Sequence, residues 1–358
     1  PREQVALVEL AADGSRREWS FGEVADRASA LASELTARGV GRGDVVMTSI
    51  GNRPEWVLAM VACFRLGAVV LALSEQLRPH DIEHRVAVAR PKLVLCDERN
   101  AETVRAAAPA VELFSVCEKN STTSDWGAGL APAPVAQLAP EDPLLITFTS
   151  GSTGEAKAVL HGQRYLSGQR AQAQHWLGAR EGDLVWCTAS TGWSKSARNV
   201  FIAPWICGAA ALLHDGRFDP HERLDIIERE QVDVLCMAPT EYRLIAKRAG
   251  LRPLPSVRSM VAAGEALNPE VLALWREATG VSIRDGYGQT ETGQMTGVPF
   301  GQEPRPGSMG RALDGVKLWV QDGELVADPT TVPTFFLNYL GEAPPPSDQP
   351  WHTGDRVT

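Results

Sequence analysis

Apolar residues along this chain fall into two rhythms, short continuous runs and stretches in which they recur every third or fourth position. The first rhythm predicts buried strands and the second amphipathic helices. Ser20 and Glu23 stand at capping-box spacing, Val24, Ala28, Leu31 and Leu35 then repeat at helical spacing, and Gly39 and Gly41 close the helix. A strand over 44–50 follows. A second helix starts at 52–55 and carries Trp56, Val57, Met60 and Val61 on one side, before strands over 68–73 and 92–96. Between 118 and 143 periodicity disappears into Ser, Thr, Ala, Gly, Pro and Asp, which marks a surface connection. The alternation resumes with strands over 144–148, 184–188, 209–214, 232–237, 257–262 and 281–285. After Gly293 the chain turns to short alternating runs over 316–320 and 324–326.

Strand–helix alternation of this kind predicts an α/β protein with two helix-covered, mostly parallel sheets and a small β-rich subdomain. The division read from the sequence is a first α/β subdomain over 1–142, with a linker at about 118–142, a second over 143–291, and a β-rich unit over 292–358. No repeat of solenoid type occurs.

Composition narrows the class. With 358 residues and 44% hydrophobic content, the chain is long enough for several packed units. Thirty-five basic against 44 acidic residues give a net charge of −9, without a long basic run, so nucleic acid and anionic membranes are poor partners. No membrane span or signal peptide is visible. The six cysteines, at 63, 96, 117, 187, 207 and 236, show no C-x-x-C pair and read as buried reduced thiols in a cytoplasmic protein.

The chemistry is concentrated in three runs. Thr149-Ser150-Gly151-Ser152-Thr153-Gly154-Glu-Ala-Lys157 combines small residues, hydroxyl donors and a point charge, the makings of a phosphate cradle after the apolar run 144–148. Lys157 stands three residues beyond Gly154 and precedes Ala158, so this is not a Walker loop. Asp285-Gly286-Tyr287-Gly288-Gln289-Thr290-Glu291 and Thr353-Gly-Asp355 follow far downstream, with Ala262-Ala263-Gly264-Glu265 between.

In this order the runs resemble the signatures of the adenylate-forming superfamily, which includes acyl-CoA synthetases, aryl-acid ligases, luciferases and peptide-synthetase adenylation domains. The phosphate loop departs from the family pattern only in Ala156, where proline is usual, which frees one φ angle and restores one N–H. Gly39-Val-Gly-Arg-Gly-Asp44, Arg65-Leu-Gly-Ala-Val69 and Ala238-Pro-Thr-Glu-Tyr242 extend the resemblance from about residue 20 to the last residue. Thr191-Gly192-Trp193-Ser194 and the wording Tyr287-Gly-Gln-Thr-Glu-Thr-Gly293 most resemble acetyl- and medium-chain acyl-CoA synthetases.

The resemblance implies ATP-dependent activation of a carboxylic acid to an acyl-adenylate, release of pyrophosphate, and thioester formation with CoA. Thr149 to Lys157 would hold the β- and γ-phosphates, Thr290 the α-phosphate, and Glu291 the Mg²⁺. Gly264, Glu265, Asp285, Gly286 and Tyr287 would frame adenine, with Tyr287 stacking, and Asp355 would accept the ribose hydroxyls. Gly192, Trp193, Ala263, Gly288 and Gln289 would line the acyl cavity. Lys195 could meet the substrate carboxylate, although a solvated surface lysine is the favoured reading. His161 matches a family position where it packs or caps the loop. The family's smaller C-terminal domain, with its catalytic lysine, is not in this sequence, so the chain reads as the large N-terminal domain. Two alternatives stay open: an adenylation enzyme that loads an acyl carrier protein, and a non-catalytic nucleotide- or acyl-adenylate-binding protein.

Overall fold

The computed structural model describes residues 2–116, 126–149, 156–265 and 267–357. In chain order the strands are β1 (Val5–Leu10), β2 (Arg16–Ser20), β3 (Val45–Ser49), β4 (Val69–Ala72), β5 (Leu93–Cys96), β6 (Glu112–Ser115), β7 (Pro143–Phe148), β8 (Ala158–Gly162), β9 (Leu184–Cys187) and β10 (Ala210–His214). They continue as β11 (Val234–Cys236), β12 (Ser259–Ala263), β13 (Ile283–Gln289), β14 (Gly293–Gly297), β15 (Arg311–Ala312), β16 (Leu318–Gln321), β17 (Glu324–Ala327), β18 (Asn338–Tyr339) and β19 (Trp351–Arg356).

Three sheets result. One runs β18-β8-β7-β4-β3-β5-β6, a second β15-β14-β13-β12-β11-β9-β10-β1-β2, and a small one β16-β17-β19. The inner strands of both large sheets pair in parallel. Antiparallel strands are added at their edges, and the small sheet is antiparallel throughout. This is the mixed α/β architecture read from the alternation.

The sheets do not follow the sequence division at 143 and 292. β7 and β8, after the connection, complete the first sheet beside β4, and β18 joins them from near the end of the chain. β14 and β15 extend the second sheet rather than forming a unit of their own. An exposed strand edge is a liability, and each late strand covers one. β1 and β2, which the periodicity missed, form a hairpin around Gly14, which adopts φ +84°. β1 then pairs with β10, a partner remote in sequence.

Helix α1 (Phe21–Ala37) begins at the expected capping box, in which the Ser20 hydroxyl accepts from Glu23 N–H and the Glu23 carboxylate accepts from Ser20 N–H. With α2 (Pro54–Leu66) it lies in one apolar core that draws on both large sheets: Leu31, Leu35, Trp56 and Met60 share it with Val46, Val70, Val185 and Phe201. Trp56 meets Phe201 edge to face at 5.6 Å. The described part of the connection is docked on these helices. Gly127 N–H donates to Glu34 Oε1 at 3.0 Å, Ala133 N–H to Ser33 Oγ at 3.0 Å, and Ala136 N–H to the Arg65 carbonyl at 2.9 Å.

Five cysteines are described, and all are free. Burial pushes the Cys63 and Cys96 thiols up to about 12. Among the described residues no helix is long and apolar enough to cross a membrane.

The two large sheets also meet through Thr191, whose buried hydroxyl lies 2.9 Å from the Ile50 carbonyl and 3.1 Å from that of Leu73. Beside it Gly192 adopts φ +87°, and a Cβ there would stand 2.3 Å from the Ser74 nitrogen. Replacing Thr191 by the isosteric Val removes the donor without changing volume. Urea denaturation of Thr191→Val should show a loss of about 1–2 kcal/mol. Unchanged stability would mean that this hydroxyl does not join the sheets.

Candidate active site

The run Gly286 to Gly293 folds as the end of β13, a turn of Thr290, Glu291 and Thr292, and the start of β14. Its glycines are required by backbone approach. A Cβ on Gly288 would lie 1.8 Å from the Gly293 carbonyl oxygen, so no other residue lets the two strands cross here.

The turn is held from behind by β8 and by the 334–336 segment. His161 Nε2–H donates to the Thr290 carbonyl at 2.9 Å, Phe336 N–H to the Glu291 carbonyl at 2.8 Å, and the Thr334 hydroxyl to the Thr292 carbonyl at 2.5 Å. His161 is buried against Tyr165, and burial pulls its pKa down to about 4, so at neutral pH it is an uncharged donor. The position that resembled a loop cap is therefore a strut under the turn.

Glu291 is half-buried, and its Oε1 accepts from Tyr339 Oη at 2.8 Å. Burial and the Glu291 carboxylate raise the Tyr339 pKa, so it remains a donor. The Lys157 ammonium stands 4.5 Å over the Tyr339 ring and 3.6 Å from Glu342 Oε1. Tyr339 thus links the lysine of the phosphate loop to the carboxylate of the turn. The base of that loop is closed by Thr149 N–H on the Lys157 carbonyl at 2.9 Å and Lys157 N–H on Thr149 Oγ1 at 3.1 Å. Ser150, Gly151, Ser152, Thr153 and Gly154 lie outside the described residues. Because β7 and β8 are antiparallel, the loop joins a hairpin rather than a strand and a helix.

Asp355 meets two predicted partners. The Tyr287 hydroxyl donates to its Oδ2, and Gln289 Nε2 lies 3.2 Å from the same oxygen. Gln289 Nε2 also reaches the Thr353 carbonyl at 2.7 Å, and Trp351 Nε1–H donates to Gln289 Oε1 at 3.0 Å. Gly264, Glu265, Asp285, Gly286, Tyr287, Gly288, Gln289 and Asp355 line one cleft of about 1280 Å³, closed by the 304–312 segment and the small sheet. Glu265 accepts from the Thr240 hydroxyl at 2.5 Å on its rim.

Trp193 does not line that cleft, and at 54% exposure it is not a core residue either. Lys195 is half-buried rather than solvated, and its ammonium donates to the Ala263 carbonyl at 2.9 Å, beside Gly264. Sequence reasoning missed Tyr339, Trp351 and Thr334. Of these only Trp351, two residues before Thr353, had a motif nearby to signal it.

The sequence model of the family described as AMP-binding enzyme matches residues 1–333. The chain belongs to the AMP-binding enzyme family. Mitochondrial acyl-coenzyme A synthetase ACSM4 of Homo sapiens is 33% identical over 320 residues, covering 84% of this chain and 54% of the human protein. The uncharacterized acyl-CoA ligase YtcI of Bacillus subtilis (strain 168) is 30% identical over 357 residues, covering 94% of this chain and 67% of that ligase. This chain thus spans only about half of the human relative's length. In three dimensions an acyl-CoA synthetase of Brucella canis superposes with a TM-score of 0.91 at 26% identity, covering 99% of this chain and 70% of that one.

In this AMP-binding enzyme the cleft wall includes Asp285, a carboxyl with a displaced pKa. Burial pushes Asp285 up from 3.8 to about 6, although Gly286 N–H donates to its Oδ1 at 2.8 Å. A carboxyl raised on folding leaves stability intact below about 3.8 and costs progressively more as pH climbs through about 6. Asp285→Asn keeps the acceptor and removes the charge. It should gain roughly 1–3 kcal/mol at neutral pH, at about 1.4 kcal/mol per pKa unit, with the gain shrinking toward pH 4. Melting curves across that range check this; a pH-independent difference would contradict the assignment.

Proposed function

We propose that this chain is the nucleotide- and acid-binding part of an acyl-CoA synthetase, which converts a carboxylic acid and ATP to an acyl-adenylate and pyrophosphate and then passes the acyl group to CoA. The observation that carries this reading is the Lys157–Tyr339–Glu291 link, which sets the lysine of one motif and the carboxylate of another around the same ring. The names of the relatives support it, and they favour free CoA over a carrier protein as thiol acceptor. Free, mostly buried cysteines support a reducing, cytoplasmic setting.

In this reading Thr149, Lys157 and the loop between them hold the β- and γ-phosphates, neutralising charge that grows as pyrophosphate departs. Thr290, on the braced turn, donates to the α-phosphate. Tyr287 stacks on adenine, Asp285 and the Gly264–Glu265 rim meet its polar edge, and Asp355 accepts the ribose hydroxyls, exchanging its bond from Tyr287 for bonds from sugar. Gly192, Trp193, Ala263, Gly288 and Gln289 flank the acyl side. Among the described residues no group of three or more His, Cys, Asp or Glu could hold a metal by itself. Glu291 nevertheless suits Mg²⁺, which binds through one or two carboxylates and phosphate oxygens. Bound there, the ion would neutralise phosphate charge and fix its orientation.

Two variants test these roles. Lys157→Met should weaken ATP binding about tenfold or more, as expected for a lost charge-assisted hydrogen bond. Glu291→Gln keeps an acceptor for Tyr339 but should abolish the Mg²⁺ enhancement of ATP binding. In the full-length enzyme it should slow acid-dependent pyrophosphate release by ~10²-fold. Calorimetry with and without Mg²⁺ decides; a Mg²⁺ titration unchanged in Glu291→Gln would remove this residue from the metal site, and unchanged ATP affinity in Lys157→Met would remove the loop lysine from the phosphates.

A further inference from the structure

Two cations with no acidic partner among the described residues stand three positions apart just beyond Gly192. Arg198 is only 4% exposed and opens a π-helical segment, Arg198–Ile202. Among the described residues its Nε and Nη1 have no hydrogen-bond partner and it forms no ion pair. Nη1 lies 3.5 Å from the point where a Cβ of Gly293 would stand, directly behind the Thr290–Thr292 turn. Lys195, three residues earlier, makes one hydrogen bond, to the Ala263 carbonyl, and likewise has no carboxylate at ion-pair distance among the described residues.

Among the described residues the titratable groups that feel these cations include His161, Tyr165 and the thiol pair Cys187 and Cys236. The Arg198 cation acts on His161, Tyr165 and Cys236, and both cations act on Cys236. Burial keeps His161 uncharged at neutral pH and raises the Tyr165 pKa; the hydrogen bond to Cys187, and then burial, raise that of Cys236, and the same bond lowers that of Cys187. Neighbouring polar atoms are also unsatisfied: Gln172 donates to Asn199 Oδ1 at 2.9 Å, while Gln172 Oε1 and Asn199 Nδ2 have no partner. A buried guanidinium without an anion is strongly disfavoured, and it persists where a ligand supplies the counter-charge. π-helical turns recur at such functional places.

The location specifies which part of a ligand arrives there. Lys195 lies by Ala263 at the carboxyl end of β12, next to Gly264 on the wall of the cleft, and Arg198 lies against Gly293, behind the turn that follows β13. We infer that the acid activated by this enzyme carries a second carboxylate at its distal end, held by the fork of Arg198 with Lys195 beside it. A planar guanidinium matches a carboxylate with two parallel hydrogen bonds, and Lys195 adds a point charge. The inference rests on the acid-activation reading above and names the substrate class for it.

Acyl-sulfamoyl adenosines, stable mimics of the adenylate, test this by binding alone. Succinyl, glutaryl and adipoyl derivatives are compared by calorimetry with butanoyl, pentanoyl and hexanoyl derivatives of equal length. The carboxylated member should bind about tenfold or more tightly at one chain length or more, because a site with polar groups of its own rejects the analogue that leaves them unpaired. Arg198→Met should erase that preference and Lys195→Met should reduce it. Equal affinities, or a preference for the plain chains at every length, would overturn the inference while leaving acid activation standing. Absence of binding by both series would remove the acid-activation reading and the inference with it. Heat stability without ligand is a second readout: Arg198→Met should melt higher than the wild type, whereas a lower melting temperature would mean that the protein itself satisfies Arg198.

Discussion

Three consecutive carbonyls, those of Thr290, Glu291 and Thr292, each accept a hydrogen bond from outside the turn, one from β8 and two from the 334–336 segment, and the placement of the candidate ligand groups follows from that. A turn of three residues between strands ordinarily has freedom to rock. Here His161 from β8, Thr334 and Phe336 remove it, and the two large sheets are thereby fixed to each other at the point where a phosphate would sit. The glycines on either side allow the backbones to approach closely enough for this arrangement, since a Cβ at Gly288 would overlap the Gly293 carbonyl oxygen. A neutral His161 suits the role, because a strut that changed charge near neutral pH would alter the potential under the turn.

The same bracing explains why the order of strands matters more than their order in sequence. β8 carries His161 and starts next to Lys157, and β18 pairs with β8 and carries Tyr339, so the phosphate-loop lysine and the Tyr339 ring are neighbours across one ladder. β13 belongs to the other sheet and delivers Glu291 to the same ring. The candidate site is built from the edges of two sheets. The small sheet adds Asp355 through β19 and closes the cleft from a third side.

Much of this was legible in the sequence, where it rested on local rules. The capping box at Ser20 and Glu23 and the buried runs of β3, β5 and β12 follow from spacing, and the resemblance to the family implies one nucleotide site for Tyr287, Gln289 and Asp355, whose side chains meet in the structure. What spacing does not encode is pairing at long range. β1 reads as an apolar run like any other until β10 is placed beside it, and nothing local says that β7 belongs with β4. Tyr339 lies in an aromatic stretch indistinguishable from core, and its function depends on register with Val159. From sequence Lys195 reads more readily as a surface lysine than as a group for the substrate carboxylate; its half-buried position beside Ala263 depends on the fold of the 194–202 segment, which also buries Arg198.

The central claim is that one adenylate occupies the cleft with its phosphate at the braced turn. A crystal structure of this chain with an acyl-sulfamoyl adenosine tests it most directly. The account predicts adenine against Tyr287, ribose hydroxyls on Asp355 in place of the Tyr287 bond, the sulfamoyl group at Thr290, and the acyl chain directed past Gly288 toward Lys195 and Arg198. A ligand bound in the cleft with its sulfamoyl group directed away from Thr290, or bound elsewhere on the molecule, would contradict it.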